Sequence, residues 1–317
     1  MRRTWLLAVV AALMSACAPR RAPEGPAPPG LPRALSVRIG DGLEARTLRV
    51  DLEAYVRAAL VAELAPDPDA DASATLLETQ AIVARTFAVA HVGRHLAEGF
   101  DLCATTHCQV VDFARAARGD RAEAAARAAR ATEGVILWHA GRPARVVFHA
   151  DCGGARSAAV DVWGGRDDPY LRGGPDPLPA AARHSEWTFT ADRERLRRAL
   201  ADDARTSPGR RLDALVVHAR DAAGRAQLVA IAGERTPIVR GEELRRAIVR
   251  AFGPQSLRST LFEVSRRGDR FVFTGRGYGH GVGLCQVGAR ARARAGASVR
   301  EILLFYYPGT TLGRLPR

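Results

Sequence analysis

The chain has no lysine: all 47 of its Lys-plus-Arg positions are arginine. That absence bears first on the stretch GRGYGHGVGLCQVGA at residues 275–289, where Gly275, Gly277, Gly279, Gly281 and Gly283 occupy alternate positions. A phosphate-cradling loop needs a Lys-Ser/Thr pair after its glycines and a βαβ setting; neither is present, which excludes a nucleotide loop. The leading apolar run, Trp5 to Met14, is too short for a helix that spans a bilayer. No basic-aromatic binding motif accompanies the net charge of +13, which argues against nucleic acid as a partner. Internal repeats and paired CxxC motifs are also missing. With alanine so abundant, the all-arginine basicity tracks GC-rich codon usage as much as any partner. A basic surface still favours anionic neighbours such as cell-wall polymers or lipid head groups.

What is present begins with an export pattern. Arg2 and Arg3 precede the short apolar run and Ser15-Ala16-Cys17 follows it, as in a lipoprotein-type signal peptide over residues 1–16. Cys17 is then the expected lipidation site, holding the chain to a membrane through its lipid. Met14 stands where leucine is commoner. Residues 17–33 are dense in proline without apolar periodicity and read as a semi-rigid tether. The folded part is expected over 34–313, enough for one large domain or two intimate ones. This places the protein in the cell envelope, lipid-anchored on the periplasmic side, with the lack of Asp after Cys17 pointing to the outer membrane.

Periodicity predicts a helix from Asp51 to Pro66, a longer one from about Ser73 to Glu98, and others over 120–132, 191–204, 241–252, 284–295 and 298–306. Hairpins are expected over 134–154, 212–233 and 261–275. Helices and strands mix without a βαβ rhythm, so the class is α+β, with mixed helices and antiparallel hairpins.

Among the carboxylates, Glu63 lies in the last turn of the first helix between apolar neighbours, Val61, Ala62, Leu64 and Ala65. Such surroundings raise a carboxyl pKa and suit a general acid near neutral pH; a solvated helix-end glutamate has the same spacing. Glu53 and Glu78 have no better claim. Apart from Cys17 the cysteines are Cys103, Cys108, Cys152 and Cys285, an even set that allows two disulfides in three connectivities. The run CATTHC equally suggests zinc held by Cys103, His107 and Cys108, with His91 or His95 from the preceding helix completing a tetrahedron. Cys–His dyads, Cys108 with His107 or Cys285 with His280, are the weaker reading. Trp163 and the Tyr306-Tyr307 pair suit either sugar stacking or the core.

Taken in order, VDLEAYVRAALVAELAP, ETQAIVARTFAVAH, DLCATTHCQVV, FHADCGG, DVWGG, GRGYGHGVGLCQVGA and ILLFYYPGT resemble the SpoIID/LytB domain family over about residues 35–313. The resemblance implies an envelope protein acting on peptidoglycan in a glycan-binding cleft. By it the chain is a lytic transglycosylase that cuts strands between N-acetylmuramic acid and N-acetylglucosamine. The family's catalytic glutamate falls on Glu63, although the usual Ser-Glu-Met-Pro is here Ala62-Glu63-Leu64-Ala65-Pro66. Gln80, Arg85, Tyr278 and His280 become the expected sugar contacts, with a structural part in holding helix and glycine turn together as the alternative. A structural zinc in the matching loop implicates Cys103, His107 and Cys108, with His95 the least well aligned; disulfides among Cys103, Cys108, Cys152 and Cys285 remain open. LytB-type members imply the other possibility, a non-catalytic lipoprotein that binds the wall and enhances a cell-wall amidase.

Overall fold

The computed structural model describes residues 32–40, 42–177 and 184–316; the export pattern, Cys17 and the tether through residue 31 lie outside them. Strands β1 (Ala34–Ile39) and β2 (Arg46–Asp51) pair antiparallel. Asp51 then caps α1 (Leu52–Glu63), its carboxylate accepting from the Glu53 and Ala54 N–H groups. Leu64 leaves the helix in extended backbone, as the approaching proline favours. Helix α2 (Ala70–Ala90) is capped by Asp69 and buried along almost its whole length, so its Ala, Leu, Ile, Val and Phe side chains pack on every side.

The expected helix 73–98 stops early. His91 lays its ring on Phe87, centroids 4.3 Å apart, with Nδ1 donating to the Phe87 carbonyl, and Gly93 at φ +74° turns the chain. His91 and His95 therefore do not share a helix face. After the turn, β3 (Leu102–Cys103) pairs parallel with β1. Then come α3 (Asp120–Ala131), β4 (Val135–His139), β5 (Arg142–Pro143), β6 (Phe148–His149), β7 (Ala155–Arg156), α4 (Ala159–Trp163) and β8 (Gly174–Pro175).

The next stretch builds a second hydrophobic core of its own. It comprises β9 (Glu186–Asp192), α5 (Arg193–Ala201), β10 (Leu212–Arg220), β11 (Ala226–Gly233), β12 (Ile238–Arg240), α6 (Gly241–Phe252), β13 (Phe262–Arg267) and β14 (Arg270–Arg276). Its sheets run β10-β11-β12 and β13-β14-β9, and Trp187, Leu196, Ile231, Leu244 and Phe273 fill the space between them and the helices. The chain then returns to the first core through β15 (Leu284–Cys285), parallel to β6, then α7 (Gln286–Arg294), α8 (Val299–Tyr306) and β16 (Thr311–Arg314) beside β4. Leu35, Tyr55 and Ile136 thus share one core with Val282, Ile302 and Tyr307. The class is α+β, and the span 34–313 holds two hydrophobic clusters, the second inserted into the first.

The neck of the insertion is where the glycine stretch lies. Asp151 accepts from Gly153 N–H and from the Ser185 N–H and hydroxyl, and its backbone pairs with Tyr278 in both directions. Gly277 and Gly283 adopt φ of +78° and +69°; a Cβ on Gly277 would lie 2.8 Å from the Asp151 carbonyl. The glycines admit the backbone of residues 147–153 and, at Gly281, the buried Arg225 side chain. Their close approach is to these groups at the neck, and β14 ends at Arg276 before the alternation can continue as a regular strand.

Candidate functional site

Glu63 ends α1, and the chain around it is held from three directions. Val110 N–H donates to Glu63 Oε1 at 3.2 Å. Arg121 of α3 donates to the Leu64 carbonyl at 2.6 Å, and Arg290 of α7 donates to the Ala65 carbonyl at 2.7 Å. Arg290 and Arg294 also clasp the Asp67 carboxylate at 2.7 and 3.0 Å, covering it completely. Arg121 also reaches the Val61 carbonyl at 3.4 Å, one of those the last turn of α1 leaves open. No cation pairs with Glu63 among the described ion pairs. Burial accordingly moves its carboxyl from the ordinary 4.5 to about 7, with the single Val110 hydrogen bond opposing. Glu53, by contrast, is committed to Arg85. Glu78 is also raised by burial.

The loop that supplies Val110 carries the cysteine cluster. One donor atom each from His95, Cys103, His107 and Cys108 lies within 4.8 Å of the others. His95 Nε2 is 3.3 Å from Cys108 Sγ, and His107 Nδ1 is 3.7 and 3.8 Å from the Cys103 and Cys108 sulfurs. His95 turns its other nitrogen to Glu98, the arrangement in which a carboxylate orients a metal-binding imidazole. Burial pushes the Cys108 thiol up to about 11. Two sulfurs and two imidazoles make a donor set that fits zinc. Cys103 and Cys108 are free thiols in this structure, as are Cys152 and Cys285. Between cluster and carboxylate sits the buried Tyr55, whose hydroxyl donates to Gln109; burial first, then Cys108, Cys103 and Glu63, raises its pKa.

The other expected site residues are dispersed. Arg85 is wholly buried and donates to Glu53 at 2.8 and 2.6 Å and to the carbonyls of Ala129 and Val135, tying α1, α2, α3 and β4 together. Gln80 is also buried, and both its side-chain amide atoms lack a partner. Tyr278 is half-buried at the neck, and its hydroxyl is 3.4 Å from the Pro254 carbonyl. His280 packs between Trp163 and His149, at centroid distances of 4.9 and 5.4 Å, and burial lowers its pKa to about 4. No described hydrogen bond joins Glu63 to Gln80, Arg85, Tyr278 or His280. Val110, Arg121, Asp67, Arg290 and Glu98 escaped the sequence reading. Glu98 alone had a local signal, three residues from His95.

Glu63, its loop donor and the four-donor cluster all fall within residues 43–139, and this stretch matches the family model described as Stage II sporulation protein, SpoIID. Over these residues, under a third of its length, the chain is similar to the SpoIID family, which suggests a cell-wall-related function. Residues 180–283, the insertion and most of the glycine stretch, match a second family, described as a domain of unknown function, DUF8618. A search of curated proteins gave no match.

Proposed function

We propose that the protein is an exported, lipid-anchored lytic transglycosylase that cleaves peptidoglycan glycan strands with Glu63 as its single acid and base. The observation that carries this reading is the Glu63 carboxyl, held at about 7 by burial at a clamped helix end within the SpoIID-matching stretch. Near neutral pH a substantial fraction is protonated and able to donate. The proton passes to the glycosidic oxygen as its bond to the muramyl C1 breaks. The resulting carboxylate takes the proton of the muramyl hydroxymethyl group, whose oxygen bonds to C1 and closes the anhydro ring. The proton returns to Glu63, and no water is consumed. A hydrolase of this type needs a second carboxylate; ring closure within the substrate does not.

His95, Cys103, His107 and Cys108 would hold a zinc ion whose chemistry is structural, fixing the loop on α1. In that role the cluster keeps Val110 N–H aimed at Glu63. The half-buried Tyr278 and His280 remain the candidate sugar contacts, whereas Gln80, 1% exposed with both amide atoms covered, is out of a sugar's reach in this structure. Arg85 fits a structural part better, because its donors are already engaged. Purified glycan strands incubated with the wild-type chain should yield anhydro-muramyl ends, and the Glu63→Gln protein should not. Equal product from both would sink this mechanism. Failure of both, with a cell-wall amidase accelerated by either, would establish the enhancer role instead.

A further inference from the structure

A second cluster of soft donors lies at the neck of the insertion, separate from the cysteine loop. A ring nitrogen of His149 and the sulfurs of Cys152 and Cys285 lie within 4.8 Å of one another, and all three residues are buried. β6 and β15 create this meeting by pairing in register, with His149 opposite Cys285. Two further observations say what the cluster lacks. The first is on the imidazole: Nδ1 faces the Val282 carbonyl at 3.0 Å and must carry the hydrogen, while Nε2 is buried without any partner. A buried imidazole with one nitrogen donating to a carbonyl and the other bare is the tautomer a metal ligand adopts. The second concerns charge. Arg225 is 1% exposed, its Nη2 donates to the Cys152 carbonyl, and its Nε and Nη1 have no partner. The nearest acids do not hydrogen-bond the guanidinium: Asp221 accepts from backbone N–H groups, and Glu242 pairs with Arg245.

We propose that His149, Cys152 and Cys285 form a buried three-coordinate site for a monovalent soft cation, copper(I). The Cys152 sulfur also donates to the buried Asp176 Oδ2 at 3.4 Å, and that carboxylate is matched by Arg292 at 2.7 Å. Beyond this pair, two thiolates, one copper(I) and the Arg225 guanidinium sum to zero charge, and two sulfurs with one imidazole suit this ion. The Cys285 sulfur already accepts N–H groups from Cys152 and Gly288. On binding, each thiol releases its proton to solvent; no electron is transferred. A disulfide between the same cysteines would leave the His149 nitrogen bare and Arg225 without a counter-charge. The site joins the strand before the insertion to the strand after it, so the ion would be taken up during folding and would staple the neck. The proposal stands whether or not Glu63 is catalytic.

The experiment uses the mature chain with Cys103→Ser and Cys108→Ser, which removes the loop cluster, purified anaerobically with a non-thiol reductant. It is titrated with copper(I) against a competing chelator, with zinc(II) in a parallel arm, and the loaded protein is examined by X-ray absorption. One tightly held copper per chain, with two sulfurs and one nitrogen around it, is expected. Adding Cys285→Ser or His149→Gln should weaken binding at least tenfold. Should these variants not fold, the absorption spectrum of the parent protein decides alone. Retention of no copper, unchanged binding in folded variants, or preference for zinc at these residues would overturn the assignment. So would an obligatory Cys152–Cys285 disulfide in protein isolated without reductant.

Discussion

At the residue scale the governing fact is that Glu63 is desolvated without a cation to compensate. Its folded pKa of about 7 exceeds the ordinary 4.5, so folding is favoured by protonation. Stability from this group is fully present below about pH 4.5, declines as pH rises toward 7, and is flat beyond. The shift corresponds to at most about 3 kcal/mol. Glu63→Gln should therefore be more stable than wild type at pH 8, by about 1–3 kcal/mol in urea titrations, with the difference vanishing near pH 4.5. Activity should move oppositely: loss of the general acid costs at least about 100-fold in rate. Wild-type turnover should fall as pH passes about 7, because the initiating proton is gone. A variant that loses both stability and rate would mean that Glu63 is a structural residue.

Elements carry the next set of consequences. The loop after β3 touches α1 through Val110 to Glu63, Gln109 to Tyr55 and Asp112 N–H to the Ala58 carbonyl. Removing metal with a chelator, or replacing Cys103 and Cys108 with serine, should slacken this contact. Because the Val110 hydrogen bond lowers the Glu63 pKa, its loss should move the alkaline limb of the pH–rate profile upward while the maximum rate falls. On the other side of Glu63, Asp67 lies covered by Arg290 and Arg294. Replacing both arginines with alanine strands that carboxylate and should cost on the order of 1–3 kcal/mol. Asp67→Ala should cost less, since both arginines reach solvent; denaturant titration of the two variants checks the order. Sequence made these elements legible unevenly. Asp51 and apolar periodicity marked most helices and hairpins, whereas the Asp69 cap, which starts the second helix ahead of the expected Ser73, went unread. The expected second helix runs too far because Val92 extends the apolar face of Val89, while Gly93 and the His91–Phe87 stacking end it. The Glu63 environment was legible in its apolar neighbours. Its donors from Val110, Arg121 and Arg290 were not, because each comes from a distant element and local spacing holds no record of tertiary approach.

For the whole molecule, the division into two cores escaped the sequence because both are α+β and both alternate helices with hairpins. Only packing separates Phe273, which faces the insertion, from Val282, which faces the first core nine residues later. Gly283 sits on that return path, where a Cβ would meet the Val147 carbonyl at a φ of +69°. Gly283→Ala should lower the melting temperature of the first core while the insertion, whose cluster excludes this residue, retains its own transition in calorimetry. A single unshifted transition would show that the neck tolerates the added methyl.

The clasp between Asp67 and Arg290 spans 223 positions of sequence. Contacts of such separation close late, after shorter loops have formed. During synthesis, the segment beyond Glu63 therefore waits for almost the entire chain before its last fastener arrives. An incomplete or truncated copy has the glutamate but not the geometry around it. In a protein proposed to cut the wall that surrounds its own cell, the geometry around Glu63 would be complete only once the C-terminal helices are in place.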